Sequence, residues 1–373
     1  MELNPGSDFK GYHLNRLLGK GGFGAVYEVV RKVGEGKTEQ RAALKVLHPS
    51  HARDEKVVHR FHREARLAQK LNHPCTVKIL DSGTCEDIHY ILMEYVEGKT
   101  LLDFMKKSVS APVSSEEVTQ SLVVNKPQPL VPDREDKTLS MEDLPTLQIK
   151  IPESVDKTVA LMRPSVPPKE LTLKLIRQCA EALNAASEAG LVHRDIKPEN
   201  ILVQDLNGEP HVKILDFGLA KNLIDQSMQL SMDGQAMGTP AYMSPEQWKG
   251  EPLDVRADLY SLGASFYTFV TGEKAFSSTS MKDLMRQILV EKLPRADTVR
   301  SSVDKDIADL LEKMMMKDPK DRFQTPADLI RAIDQMSDQT KAFTAFNPEE
   351  SENRPWLLWF CLISFVLVLL SAG

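Results

Sequence analysis

Cysteine is scarce in this chain of 373 residues: Cys75, Cys85, Cys179 and Cys361 are the four, with neither a CxxC pair nor dense spacing. Disulfide frameworks and structural zinc sites need paired or clustered thiols, so reduced cysteines in a reducing compartment are expected. A basic excess is also missing. With 47 Lys and Arg against 53 Asp and Glu the formal net charge is −6, and no basic stripe stands out, which argues against a nucleic-acid partner. No internal repeat is found, and the opening MELNPGSDFKGYHL lacks the basic-then-apolar pattern of a signal peptide.

Long apolar runs are missing with one exception. Residues 356–373, WLLWFCLISFVLVLLSAG, carry no charge and two serines. Eighteen residues rise ~27 Å as a helix, close to the ~30 Å hydrocarbon core of a bilayer. Trp356 and Trp359 stand at one end, where an interfacial aromatic belt lies, with Arg354 beside them. A transmembrane helix is expected at 356–373, joined to the rest by a short polar linker over 338–355.

The remainder has ordinary globular content, 42% hydrophobic and 27% charged. Its length exceeds the size at which a single core stops growing, which suits a two-lobed unit with appendages. Residues from about 10 to 100 alternate strand-like runs, among them TVKILDSG and IHYILMEYV, with one helical segment. That segment, HRFHREARLAQKLNHP, places Phe61, Ala65, Ala68 and Leu71 at helical spacing, and His73-Pro74 closes it. From about 169 the signals turn helical. KELTLKLIRQCAEALNAASEAG carries an apolar stripe with Ile176, Cys179 and Leu183, and Gly190 stands where a left-handed cap belongs. Residues from about 108 to 167 contain no aromatic, no glycine and many prolines, too little apolar surface to offset the entropy of ordering. A disordered insertion is expected there.

Two strings carry the chemistry: His193-Arg194-Asp195-Ile196-Lys197-Pro198-Glu199-Asn200 and Asp216-Phe217-Gly218. They supply two carboxylates, an amide and a lysine. One carboxylate can meet a substrate hydroxyl, while the other and the amide hold magnesium on phosphates. Upstream, Leu18 precedes Gly19-Lys20-Gly21-Gly22-Phe23-Gly24-Ala25-Val26. A GxGxxG alone is weak, because dinucleotide-binding folds use one to open a helix. Here it leads into AVYEVVRKV, which has strand character and a later turn at Gly34-Glu35-Gly36. Lys45 lies in the apolar strand Ala42-Ala43-Leu44-Lys45-Val46-Leu47, where an ammonium is costly to bury without partners.

Together these residues resemble the eukaryotic-type (Hanks-type) protein kinases, and within them the membrane-anchored serine/threonine kinases of bacteria. The resemblance covers about 10–336, interrupted at 108–167. It implies an α+β fold in two lobes: a small antiparallel sheet with one helix over about 10–97, and a larger, mainly helical lobe over about 98–336. It implies backbone amides of the glycine loop covering the phosphates of ATP, with Phe23 at the tip shielding the site. Lys45 is then expected to pair with the α- and β-phosphates and with a helix glutamate, for which Glu64 is the choice, although Glu55 also lies upstream. The adenine hinge is Glu94-Tyr95-Val96, with Met93 as gatekeeper, Val26 and Ala43 as roof and Leu202 as floor; each of the apolar members could equally be plain core.

By the same resemblance Asp195 orients the hydroxyl and accepts its proton, and Lys197 serves the transferring phosphate and marks the serine/threonine type. Asn200 and Asp216 are the magnesium ligands, with manganese as an alternative metal. The activation segment runs from Asp216 to Glu246 and ends in Gly238-Thr239-Pro240-Ala241-Tyr242-Met243-Ser244-Pro245-Glu246, with Ser244 where the family has alanine. Thr239 is expected in the substrate site, Glu246 paired with Arg322, and Asp258 bracing the catalytic loop. Arg194 is expected to meet a phosphate on the segment, with Ser227 and Ser231 as candidate acceptors or plain loop serines.

The expected activity is ATP-dependent phosphorylation of Ser and Thr hydroxyls in proteins, with autophosphorylation and dimerisation in trans. The catalytic unit is expected on the cytoplasmic side of a cell membrane, single-pass, either tail-anchored or cut short of a further domain. Three rival readings stand beside it. A scaffold pseudokinase is disfavoured because Lys45, Asp195, Asn200 and Asp216 are all present. A small-molecule phosphotransferase is disfavoured by the GTPAYMSPE segment, and an interaction protein would act through the insertion.

Overall fold

The computed structural model describes residues 3–21, 23–33, 38–107, 165–217 and 240–345. The chain separates into two compact units, Met1–Leu101 with Val166–Gly373, and Leu102–Ser165. Of the second, the described part is residues 102–107, all but the first residue of a short helix, and Ser165.

The first unit opens with six strands: β1 (Asp8–Phe9), β2 (Tyr12–Gly21), β3 (Gly24–Val33), β4 (Thr38–Leu47), β5 (Ile79–Cys85) and β6 (Ile88–Glu94). They form one antiparallel sheet in the order β1-β2-β3-β4-β6-β5. The register sorts the side chains by face. Val26 opposes Lys45, which opposes Ile91; Ala43 opposes Met93. Alternation along each strand therefore puts Val26, Ala43, Lys45 and Met93 on one face. The other face carries Leu14, Tyr27, Val29, Leu44, Val46, Tyr90 and Leu92, a buried apolar layer. Helix α1 (Glu55–Ala68) packs on β5. It starts four residues before the expected His59 because Asp54 caps it, accepting from the backbone N–H of Lys56 and Val57. It ends at Ala68, short of the His73-Pro74 boundary, and Leu71 is buried beyond the helix.

After β7 (Lys99–Thr100) and α2 (Leu101–Lys107), the described chain resumes in α3 (Lys169–Glu188), and Gly190 takes φ 73° as the stripe-and-glycine pattern required. Strands β8 (Ile201–Leu206) and β9 (Glu209–Ile214) form a hairpin that β7 joins. Then come α4 (Pro245–Lys249), α5 (Val255–Thr271), α6 (Met281–Val290), α7 (Ala296–Val299), α8 (Lys305–Met314) and α9 (Pro326–Ala345). Every residue of α5 from Ala257 to Thr271 is buried, as befits a helix enclosed by others. It packs on α3 and α8, and α9 packs on α3.

The sheet and helical parts meet at Cys75–Val77: Ile214 N–H donates to Cys75 C=O (2.8 Å), and Val77 N–H to Ile214 C=O (3.1 Å). Cys75, Cys85 and Cys179 are free thiols, as their spacing suggested. One boundary differs from expectation. Residues 338–345, expected as linker, continue α9, because nothing in DQTKAFTA breaks a helix before Pro348. Among the described residues no helix is long and apolar enough to cross a membrane. The expected span at 356–373, residues 108–164 of the insertion expected at 108–167, and the Gly34–Gly36 turn lie outside them.

Candidate active site

The glycine loop is a tight hairpin between β2 and β3. Gly19 opposes Val26 and Gly21 opposes Gly24, with a bulge between Leu17 and Gly19 that leaves Leu18 exposed. Gly24 must be glycine, since a Cβ there would lie 1.9 Å from the Val46 carbonyl oxygen. Around Gly19 and Gly21 a Cβ would meet nothing within 4 Å, so the exposed Lys20 sits in an open stretch. Gly22 lies outside the described residues.

Beneath the sheet face that carries Val26, Ala43 and Met93 stands Lys45. Its Nζ lies 2.8 Å from Asp216 Oδ1. Glu64, the expected helix partner, is half-buried on α1. Asp216 itself adopts a left-handed backbone, φ 56°.

The catalytic loop follows α3. Arg194 also adopts a left-handed conformation, φ 66°, which a non-glycine residue holds only when its surroundings impose it. Asp258, on α5 and 1% exposed, imposes it: its two carboxylate oxygens accept the N–H groups of His193 and Arg194, both at 2.7 Å. Buried His193 links this loop to Leu215, the residue before Asp216. Its Nε2 is 2.7 Å from Leu215 C=O and its Nδ1 is 3.2 Å from Asp195 N–H. A carbonyl only accepts and a backbone N–H only donates, so the ring is neutral with its proton on Nε2. No role was assigned to His193 from sequence.

Lys197 Nζ donates to Asp195 Oδ2 at 2.8 Å. Asn200 Nδ2 donates to Asp195 C=O (2.8 Å) and to its Oδ2 (3.0 Å). With its nitrogen committed to Asp195, the planar amide of Asn200 carries its oxygen on the opposite edge. That oxygen and the Asp216 carboxylate make an all-oxygen pair. Among the described residues no group of three or more His, Cys, Asp and Glu could hold a metal. A sparse oxygen set completed by phosphates fits a magnesium-like ion, and the residues present therefore fit the metal.

The hinge is anchored by side chains that sequence reading did not single out. Glu94 accepts from Lys213 Nζ (2.6 Å) and from Lys78 N–H (2.9 Å). The Tyr95 ring lies 4.1 Å from the Arg41 guanidinium, and its hydroxyl accepts from Arg16 at 3.1 Å. Both arginines also hold Glu28. Burial works to raise the Glu28 pKa, but the arginine hydrogen bonds outweigh it and hold the group below the ordinary range. Met93 and Ala43 are buried, while Val96, Val26 and Leu202 are half-buried.

Glu246 and Arg322 form the expected buried pair in two parallel bonds of 2.7 and 2.8 Å. Gln247 donates to the Arg194 carbonyl at 2.9 Å, fastening α4 to the catalytic loop. Ser244 caps α4 in a reciprocal box with Gln247, a signal legible in the Ser-x-x-Gln spacing but not drawn from it. Ser227, Ser231 and Thr239 lie outside the described residues.

Comparison with known proteins agrees with this geometry. The family model for protein tyrosine and serine/threonine kinases matches residues 12–330. The chain is 30% identical over 343 residues to the Probable serine/threonine-protein kinase of Clostridium perfringens, covering 92% of this chain and 41% of that one. It is 29% identical over 322 residues to the serine/threonine-protein kinase PknB of Mycobacterium tuberculosis, covering 85% and 41%. It is 31% identical over 350 residues to pkn3 of Myxococcus xanthus, covering 92% and 52%. The chain thus spans about half or less of the length of these relatives. The crystal structure of the M. tuberculosis PknI kinase domain superposes with a TM-score of 0.59 at 23% identity, covering 90% of this chain and 99% of that one, and so shares the two-lobed fold. Sheet, helical lobe, catalytic loop and family match agree: the chain belongs to the protein kinase family, as a bacterial Hanks-type serine/threonine kinase.

Proposed function

We propose that the chain transfers the γ-phosphoryl group of ATP to serine and threonine hydroxyls of proteins, its own included. The observation that carries this reading is the Asp195–Lys197–Asn200 cluster, held on a strained loop by Asp258. Backbone strain persists where surrounding structure over-determines it, and such places are commonly functional.

In this reading Asp195 accepts the proton of the incoming hydroxyl as its oxygen forms the new bond to phosphorus. The bond to ADP breaks, and ADP leaves with the electron pair. Lys197 stands on the same carboxylate and is poised for charge on the transferring phosphoryl group. Lys45 would turn from Asp216 to the α- and β-phosphates. Asn200 and Asp216 would hold the metal, which we take to be magnesium; bound there, it neutralises developing phosphate charge. The serine/threonine assignment rests on Lys197 and on the names of the relatives.

The full chain should phosphorylate a generic protein acceptor with labelled ATP and magnesium. Asp195→Asn should lower the rate by about 10²- to 10⁴-fold, the usual contribution of a positioned general base. Equal incorporation by both proteins would favour a non-catalytic binding role.

The uncharged run at 356–373 supports a further proposal, that the kinase is tethered to a membrane and works on its cytoplasmic, ATP-containing side. Dimerisation for phosphorylation in trans accompanies that arrangement. Fractionation should find the full chain with membranes and a chain ending at residue 350 in the supernatant. Equal solubility would remove the tether.

A further inference from the structure

The tip of the glycine loop is tied to the segment that leads into α1. Phe23 stacks on His51, with ring centroids 5.2 Å apart and planes at 25°. His48 meets His51 edge-on at 6.3 Å. The backbone closes the same connection, because His48 N–H donates to Phe23 C=O at 2.9 Å. His48 is itself fixed by Ser50, whose hydroxyl lies 2.8 Å from its Nδ1. From this turn the hydrogen bonds continue into the helix: His51 N–H donates to His48 C=O (2.9 Å) and Asp54 N–H to His51 C=O (3.1 Å), and Asp54 caps α1. On the other side of the tip, Gly24 rests against the Val46 carbonyl so closely that no side chain fits.

A glycine-rich hairpin gains freedom from every glycine it contains. Here four of the six residues from Gly19 to Gly24 are glycine, yet the one aromatic among them is stacked on a ring of another segment. The stack restricts the element expected to cover the phosphates. We infer that His51 is a positioning residue for ATP, setting the height of the glycine loop through its stack on Phe23. It touches neither nucleotide nor acceptor; it acts through Phe23 and, by the turn it shares with Asp54, makes loop position depend on where α1 begins. The inference rests on the kinase reading above, because the loop has phosphates to cover only if ATP binds there.

The test uses the full chain. Equilibrium binding of ATP with magnesium is followed by titration calorimetry, and steady-state phosphorylation gives KM for ATP and for the acceptor. His51→Ala should weaken ATP binding and raise KM for ATP by roughly 2- to 12-fold, the range expected for one lost aromatic stack. The value of kcat and KM for the acceptor should stay unchanged. His51→Phe should restore binding, and His51→Ala added to Phe23→Leu should cost nothing more. The inference is overturned if His51→Ala, melting at the wild-type temperature, binds ATP as wild type does. It is equally overturned if its effect adds in full to that of Phe23→Leu. Should His51→Ala melt early, His51→Gln against His51→Phe decides the same question, with a ring restoring binding and an amide not. If wild type binds ATP but transfers no phosphate, the catalytic reading fails while calorimetry still decides the role of His51.

Discussion

His62 on α1 and His89 on β6 face each other, Nε2 to Nδ1, at 3.1 Å, with the Thr84 hydroxyl within 3.3 Å of both. Such a contact needs one nitrogen with its proton and one without. Burial, foremost, holds both rings below the ordinary 6.5; His89, Arg66 and His59 push His62 further down, while Asp87 pulls His89 back up. The folded protein then binds fewer protons here than the unfolded one. Stability contributed by the neutral pair is complete above about pH 6.5 and is lost as pH falls from there toward the depressed folded values. Urea midpoints should therefore fall between about pH 7.5 and 5.5, and fall less in His62→Gln/His89→Gln. An identical slope in that double variant would sink the assignment. At this scale the contacts of Asp258 and Arg322 were legible in sequence because each residue sits at a fixed place in a short string. The Lys45–Asp216 contact was not, since the two residues are far apart in sequence and meet only in the folded chain.

Among elements, α5 carries the helical lobe. Its face at Gly263 lies so close to α8 that a Cβ would fall 2.9 Å from both Met314 Cβ and Met315 Cγ. Gly263→Ala should destabilise the fold by about 1–3 kcal/mol, the usual result of overpacking a filled core, despite the better helix propensity of alanine. A urea melt showing stabilisation would contradict that packing. Helix α3 could be read from its apolar stripe and Gly190, whereas α1 was drawn too short at its start and too long at its end. Its start depends on Asp54, one of many acids in the region, and becomes a cap only when its side chain meets the N–H of Lys56. The run on of α9 through 338–345 was missed for a related reason: polar residues without a breaker are compatible with linker and helix alike.

Across the whole molecule, Glu246 on α4 and Arg322 of the helical lobe are joined by an ion pair, with side chains 6% and 0% exposed. Arg322 also donates to the carbonyls of Arg256, Met316 and Lys317, so it is saturated by acceptors. Removing its carboxylate leaves a buried cation with part of its hydrogen bonding gone. Glu246→Ala should cost about 3–5 kcal/mol, read as a lowered urea midpoint with unchanged slope. A loss under about 1 kcal/mol would mean the pair is solvated like a surface bridge.

The amino-acid sequence by itself determined the fold class, the order of the motifs and the identity of the groups proposed to carry the chemistry. Each of these is written in local strings whose spacing is set by strand and helix period. Tertiary structure alone decided how those groups are held. It brought Asp216 to Lys45, made His193 a neutral link between Asp195 and Leu215, clamped Tyr95 between two arginines, and seated Phe23 on His51. All of these join residues far apart along the chain or turned by single backbone angles, so they come into being only when the sheet and the helical lobe fold around them.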